Sequence, residues 1–181
     1  MLNNNLWAPW RIEYLKSLSR EEGNQAEDAP WIKKCFLCEY WNSPDQDREN
    51  LVLWRTDRCL VLFNRFPYTG GHLLIAPRDH VPDLNAIDEG TILEMMLLCR
   101  DVQSVLDRAI HPQGYNIGIN IGRCSGAGLP DHVHLHIVPR WDGDTNFMSN
   151  IGNARVISQS LEELYDQLTE IAEQLKLPTK K

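Results

Sequence analysis

Three histidines at alternate positions, His132, His134 and His136, are the residues of this chain best suited to chemistry. Side chains alternate between the two faces of a β-strand, so this spacing predicts three imidazoles on one face and the intervening apolar residues on the other. The polar positions of a half-buried strand are more often Thr, Ser, Lys or Glu. Because imidazole titrates near neutral pH, the pattern favours a site that binds anions, binds metal or attacks phosphorus.

A loop of small residues at 122–130, with glycines at 122, 126 and 128, leads directly into the histidine run. Backbone N–H groups in a glycine-rich loop can approach phosphate oxygens because no Cβ intervenes. By itself the loop is typical of a plain turn. Beside an imidazole nucleophile it predicts an anion cradle suited to phosphoryl or nucleotidyl transfer, in which positioning and charge stabilisation dominate.

The composition limits the kind of protein that carries these residues. The 181 residues are 43% hydrophobic and 24% charged, which is typical of a soluble globular domain. A net charge of −7 argues against a general affinity for nucleic acid or anionic membranes. The amino terminus lacks signal-peptide features, no apolar run has transmembrane length, and the cysteines number five. We therefore expect a cytoplasmic protein with reduced or metal-bound cysteines and no nucleic-acid or membrane partner.

Short apolar runs bounded by turn residues predict the strands that position the histidines. Four such runs accompany the histidine run, at 51–54, 59–63, 72–76 and 115–121, and short connections make the first three antiparallel. Apolar residues at three- and four-residue steps predict a helix over 88–107 with Asp88 as its N-cap. The capping box Ser160-x-x-Glu163 predicts a carboxy-terminal helix that ends at about residue 175.

The predicted fold class is therefore α+β, with a five-stranded antiparallel sheet, one central helix and a carboxy-terminal helix. Residues 35–181 are expected to form this domain. Residues 1–34 are expected to form an amino-terminal extension, in which an aromatic-rich segment at 1–18 precedes a polar linker at 19–30.

The run 132–138 resembles the His-φ-His-φ-His-φ-φ signature of the histidine-triad (HIT) superfamily of nucleotide hydrolases and transferases. The resemblance extends to Phe63-Asn64, to the glycine-histidine segment at 71–77, and to the strand at 116–122 that enters the phosphate loop. Further segments are similar to the diadenosine tetraphosphate phosphorylase-like branch, at 6–11, 138–141 and 146–147.

The resemblance implies a covalent mechanism in which His134 is the nucleophile and His136 binds the phosphate oxygens. Attack on the α-phosphorus of a dinucleoside polyphosphate would form a nucleotidyl-imidazole, which water, phosphate or another acceptor then cleaves. The resemblance also implies that Asn64 holds the ribose hydroxyls. The phosphates would be held by further nucleotide-binding residues, namely Asn120, Ser125, Gly126 and Gly128.

Gly128 and Arg140 are the two predicted nucleotide contacts for which the sequence leaves an alternative. Gly128 stands where many members of the superfamily have Gln or Ser, so a backbone amide or Ser125 would replace that contact. Arg140 lies just outside the triad, and its position is equally compatible with phosphate binding and with a surface arginine at a strand end. His72 is expected to be a packed or hydrogen-bonded strand residue rather than a catalyst.

The pair Cys35-x-x-Cys38 is typical of half a zinc site in a cytosolic chain. Superfamily members with this pair complete the site with a histidine after the third strand and with the first triad histidine, here His80 and His132. The resemblance thus implies a closed, structural Cys₂His₂ zinc site and no organic cofactor. The alternative is two buried thiols and a surface His80.

Other functions stay open at this point. A nucleoside phosphoramidase or another HIT nucleotidyltransferase would use the same residues, and a non-catalytic AMP-binding regulatory module would keep the fold without turnover. A metalloenzyme would bring all three triad histidines to one catalytic ion, although residues i, i+2 and i+4 of a strand span about 13 Å. The resemblance also implies a homodimer whose sheets join edge to edge, which would bury an exposed strand edge.

Overall fold

A five-stranded antiparallel sheet organises residues 35–144, 159–177 and 179, the part of the chain that the computed structural model describes. Its strands are β1 Val52–Arg55, β2 Cys59–Phe63, β3 Leu73–Pro77, β4 Gly114–Ile119 and β5 Leu135–Arg140. They lie in the order β1-β2-β3-β5-β4, and each pair of neighbours is antiparallel. The α-helices of this part are α1 Phe36–Trp41, α2 Glu89–Ile110 and α3 Leu161–Gln174. The predicted α+β class is confirmed.

Different helices cover the two faces of the sheet, because side chains alternate along each strand. On one face, Phe63 and Ile75 pack with residues of α2 and α3 in the larger hydrophobic core. On the other face, Leu62 and Leu74 belong to a smaller core with α1. Strands β2 and β3 are buried over their whole length. Their sequences are therefore continuous apolar runs, as is typical of strands covered on both sides.

Helices α2 and α3 begin where their capping residues predict. The Asp88 carboxylate accepts a hydrogen bond from the Thr91 N–H over 3.1 Å, which satisfies a free donor of the first turn. The Ser160 hydroxyl accepts one from the Glu163 N–H over 3.1 Å. Helix α2 continues three residues beyond its predicted end and stops at His111, whose φ of 47° lies in the left-handed region.

The hydrogen-bonded histidine strand is shorter than predicted. Strand β5 begins at Leu135, three residues after His132. Two residues further along the same register, Val133 would lie opposite Pro77, which has no N–H to donate. Val133 instead donates its N–H to the carbonyl of Val81 over 2.7 Å. The prediction of a strand is therefore correct from residue 135 onwards and wrong for the positions before it.

Helix α1 was not predicted from the sequence. Cys35 precedes its first residue and Cys38 lies in its first turn, while Leu37 is buried in the smaller core. The predicted segments at 1–18 and 19–30 and the motif at 146–147 lie outside the described residues. In the described part of the chain, no helix combines the length and the apolar composition needed to cross a membrane.

Candidate active site and metal centre

The triad lies on the sheet face that carries α1, where the chain enters β5. In the ladder, His136 lies opposite Leu74 of β3 and Gly118 of β4. A Cβ added to Gly118 would meet nothing within 4 Å. Because residues opposite each other in an antiparallel pair are close neighbours, this glycine leaves open space beside the His136 imidazole. A ligand can therefore approach the triad from the β4 side.

His134 is held in the form that a nucleophile requires. Its side chain is 6% exposed, and its Nδ1–H donates a hydrogen bond to the backbone carbonyl of His132 over 2.8 Å. This bond places the proton on Nδ1, so the neutral ring keeps a lone pair on Nε2. Burial lowers the pKa of His134 below its ordinary value, which favours that neutral ring.

His72 contacts the triad, although the sequence analysis assigned it no part in the chemistry. It is fully buried, and its Nε2 lies 3.0 Å from His136 Nδ1. Its own Nδ1 accepts a hydrogen bond from the Tyr68 N–H over 3.2 Å. The prediction of a packed, hydrogen-bonded residue is confirmed, and its hydrogen-bond partner is a histidine of the triad. A fourth histidine at the start of a strand predicted to share the sheet with the triad is the signal that could have identified it.

Burial also controls the protonation of His136. Desolvation, with a smaller contribution from the nearby His134, lowers the pKa of His136 to about 4. The centroids of these two rings are 4.8 Å apart. Both rings are therefore neutral near pH 7, and neither repels the other electrostatically.

The loop predicted to bind phosphate turns tightly through its glycines. Gly122 and Gly126 have φ values of 75° and 84°, in the region that glycine enters without steric cost. The Ser125 hydroxyl between them donates to the Gly122 carbonyl over 2.7 Å, so its proton is already used inside the loop. Gly128 is exposed, and a Cβ there would meet nothing within 4 Å. The Ser125 and Gly126 amides likewise donate within the loop, to the Gly122 and Arg123 carbonyls over 3.4 and 3.3 Å. This geometry favours the loop amides after Gly126 as phosphate donors.

Two asparagines predicted to bind the nucleotide lie beside the imidazoles of His72 and His136. The Asn120 side-chain amide is 3.5 Å from His136 Nε2. The Asn64 side-chain nitrogen is 3.4 Å from His72 Nδ1, and its Oδ1 accepts a hydrogen bond from the Phe66 N–H over 2.9 Å. The structure thus brings both residues to the site. The side-chain oxygen of Asn64 is already hydrogen-bonded within its own loop.

Arg140 is placed differently from the predicted phosphate contact. It lies four residues beyond His136, about 13 Å along the strand. Its guanidinium makes two hydrogen bonds to the Asp144 carboxylate, of 2.5 and 2.8 Å, and one to Asn116 Oδ1 of 2.5 Å. These partners occupy the guanidinium at the end of β5. The contacts therefore favour a surface arginine at a strand end over a phosphate-binding residue.

The four predicted metal ligands come together. Their ligand atoms all lie within 4.8 Å of one another, and the residues are Cys35, Cys38, His80 and His132. His132 Nδ1 is 3.2 Å from Cys35 Sγ and 3.6 Å from Cys38 Sγ. Zinc–sulfur and zinc–nitrogen bonds of ordinary length at a tetrahedral angle separate S and N by about 3.6 Å. The donor set and its spacing therefore fit a tetrahedral zinc ion.

The tautomer of His132 also suits a cation. The His132 Nε2–H donates to the Pro77 carbonyl over 2.9 Å, which leaves the Nδ1 lone pair facing the thiols. Burial, together with the neighbouring Cys35, raises the pKa of Cys38 to about 11. A divalent ion would replace the thiol protons and reverse that shift. Among the described residues this is the cluster able to hold a metal. It includes only the first histidine of the triad, which argues against a metalloenzyme in which all three triad histidines bind one catalytic ion.

A sheet that presents a histidine triad beside a glycine-rich phosphate loop defines the histidine-triad class of nucleotide-handling proteins. Residues 46–143 match the HIT domain model, and the chain belongs to this family. It is 33% identical over 161 residues to the AP-4-A phosphorylase of Mycobacterium tuberculosis (strain CDC 1551 / Oshkosh), covering 87% of this chain and 78% of that one.

Two further similarities agree with this assignment. The chain is 33% identical over 93 residues to an asymmetrical bis(5'-nucleosyl)-tetraphosphatase of Schizosaccharomyces pombe, covering 51% of this chain and 50% of that one. The crystal structure of a Zn-bound histidine triad family protein from Mycobacterium smegmatis superposes with a TM-score of 0.65 and 26% identity, covering 79% of this chain and 96% of that one.

Proposed function

We propose that this protein cleaves dinucleoside polyphosphates, such as diadenosine tetraphosphate, by transferring a nucleotidyl group to His134. The observation that carries the proposal is the hydrogen bond from His134 Nδ1–H to the His132 carbonyl, because it makes Nε2 the nucleophilic nitrogen. The relatives named AP-4-A phosphorylase and tetraphosphatase support this substrate class.

The reaction proceeds in two displacements at the same phosphorus. His134 Nε2 attacks the α-phosphorus, the N–P bond forms, and the P–O bond to the remaining polyphosphate breaks with its electron pair staying on the departing oxygen. The ring becomes positively charged, and the His132 carbonyl stabilises that charge through the Nδ1–H. Phosphate or water then attacks the phosphorus and releases ADP or AMP together with the neutral imidazole.

The groups around His134 are suited to hold the substrate during both steps. His136, Asn120 and the loop amides around Gly128 donate hydrogen bonds to the phosphate oxygens, whose charge is redistributed in the transition state. Asn64 binds the ribose hydroxyls. Because these donors are fixed by the sheet and by the glycine turn before substrate arrives, little reorganisation is needed when the reaction occurs.

We further propose a structural zinc ion on Cys35, Cys38, His80 and His132. When bound, zinc would crosslink α1 to the start of the triad and would have a structural role. His132, held by the metal through its ring, would orient His134 through its backbone carbonyl, which accepts the Nδ1–H. The Zn-bound histidine triad protein of M. smegmatis supports the choice of metal.

A homodimer joined through the edge of β4 is part of the proposal. In the described sheet β4 pairs only with β5, so its other edge offers backbone groups to a second copy. Ile117 on this strand is 42% exposed, and Ile121 just after it is 44% exposed. The five cysteines are all free, which supports a cytoplasmic location.

One experiment tests the enzymatic proposal and separates its variants. Wild-type protein is incubated with diadenosine tetraphosphate, with and without inorganic phosphate, and the products are resolved by chromatography. ADP beside ATP only when phosphate is present indicates a phosphorylase, and AMP beside ATP without phosphate indicates a hydrolase. His134→Ala should lose at least about 10³-fold in turnover and form no acid-labile nucleotidyl adduct.

The matched control is His111→Ala, which removes an exposed histidine from the turn after α2. It should keep wild-type turnover, and circular dichroism should show that both variants are folded. Full turnover by folded His134→Ala would contradict the mechanism. Tight AMP binding without cleavage of any dinucleoside polyphosphate would instead indicate a regulatory binding module, and preferential cleavage of adenosine phosphoramidate would indicate a phosphoramidase.

A further inference from the structure

We propose that Tyr68 and His72 are positioning residues that hold His136 as a fixed Nε2–H donor toward the substrate phosphate. The proposal rests on the nucleotidyl transfer proposed above, because it assigns the function of His136 in that reaction. It is carried by two consecutive hydrogen-bond contacts, from the Tyr68 amide to His72 and from His72 to His136, of 3.2 and 3.0 Å.

The backbone amide of Tyr68 fixes the direction of this relay. An amide N–H is always a donor, so His72 Nδ1 must be the acceptor and must lack a proton. The proton of the neutral His72 ring is then on Nε2, from where it is donated to His136 Nδ1. His136 Nδ1 must in turn lack a proton, and the neutral His136 ring carries its proton on Nε2.

This tautomer matters because Nε2 is the nitrogen beside the phosphate-binding groups. The Asn120 amide lies 3.5 Å from it, so two N–H donors fit one phosphate oxygen that accepts from both. An imidazole free to change tautomer would present a lone pair to that oxygen for part of the time, and the two would repel. The relay removes this state before substrate binds, which is preorganisation of the donor.

The ring of Tyr68 gives the relay a second part. Its centroid lies 4.8 Å from that of His72 and 6.4 Å from that of His136, and its plane is inclined by only 17° to the His136 ring. The side chain is 47% exposed, so it lies between the imidazoles and solvent. Among the described residues, the rings and polar groups beside His136 are those of His72, His134, Tyr68 and Asn120, and none of them is a carboxylate.

The same geometry opposes a charged His136. An imidazolium would direct a Nδ1–H at the His72 Nε2–H across 3.0 Å, so that two donors would face each other. The lowered pKa of His136, caused mainly by burial, agrees with this arrangement. His136 thus binds phosphate as a neutral hydrogen-bond donor.

The direct test is the tautomer of His136, measured by ¹⁵N NMR on the full-length, histidine-labelled protein without substrate. His136→Gln identifies the resonances. We expect the Nε2–H tautomer in the wild type, and a mixture of tautomers in His72→Phe, which has no polar atom to donate. His72→Gln should restore the wild-type pattern, because its amide nitrogen can donate while its oxygen accepts.

Kinetics with diadenosine tetraphosphate provide the second readout. His72→Phe should lower kcat by about 10- to 100-fold with a smaller change in KM, and His72→Gln should recover most of that loss. Tyr68→Ala keeps the backbone amide, so it should retain the tautomer but raise the pKa of His136 measured by NMR. Tyr68→Phe, which keeps the ring, is the matched control and should resemble the wild type in both measurements.

A wild-type His136 protonated on Nδ1 overturns the relay, and so does His72→Phe that keeps both the Nε2–H tautomer and wild-type kcat. The wild-type spectrum decides the matter even if His72→Phe does not fold. A failed proposed function is distinguishable from a failed relay, since it would show no adduct on His134 while His136 still carries its proton on Nε2.

Discussion

The neutral, partly buried His136 ring should make the stability of the fold depend on pH in weak acid. Its pKa falls from 6.5 to about 4 in the folded protein, mainly through burial. Between these values the unfolded chain binds a proton at this ring and the folded protein does not. The contribution of the neutral His136 ring to the stability of the fold is therefore fully present above pH 6.5. It is lost as the pH falls from 6.5 towards about 4.

The size of the effect follows from the distance to the unfolded pKa. A pH of 5 lies about 1.5 units below the pKa of the unfolded ring. At 1.36 kcal/mol per unit, the free energy of unfolding falls by about 2 kcal/mol. This value is an upper bound because the ring is partly exposed. Against a total stability of about 5–15 kcal/mol, such a loss is readily measured.

The perturbation is His136→Asn, with His136→Gln as a second replacement that also lacks a titrating ring. Urea unfolding of all three proteins at pH 7 and pH 5, with a chelator present, gives the free energies of unfolding. The variants should lose about 2 kcal/mol less than the wild type between the two pH values. The pKa of His132 is also lowered to about 4, but that residue is common to all three proteins and cancels. An equal pH dependence in the wild type and both variants would refute the reasoning.

The remaining predictions concern the metal and the dimer. Cys38→Ser should reduce bound zinc, measured by elemental analysis, by lowering affinity at least about 10-fold, whereas Cys124→Ser, which changes an exposed cysteine outside the cluster, should keep it. Equal zinc content in these two variants would argue against the cluster. Ile117→Glu should shift the protein from dimer to monomer in analytical ultracentrifugation, because it places a charge on the β4 edge, and Leu84→Glu is the control on another surface. A monomeric wild type, or a dimer unaffected by Ile117→Glu, would contradict the proposed interface.

Local patterns in the sequence were sufficient for most elements of the fold. Helix α2 begins at the Asp88 cap and α3 at the Ser160 cap, and β2 has the predicted bounds. These features depend on hydrogen bonds within one turn or on the alternation of side chains, so neighbouring residues decide them. Helix α1 escaped prediction because it is only six residues long, too short for a helical period to emerge.

The site shows the same division between local and long-range information. The amino-acid sequence determined the triad and its alternation, the glycines of the loop before it and the identity of the four thiol and imidazole groups proposed to bind zinc. Only the tertiary structure decided that His72 meets His136, 64 residues away, and that Asp144 and Asn116 occupy Arg140. It also decided that the strand pairing ends at Leu135 and does not extend to His132, because Pro77 cannot donate. Contacts of this kind follow from the register between strands and from packing across the sheet, and no short stretch of sequence contains either.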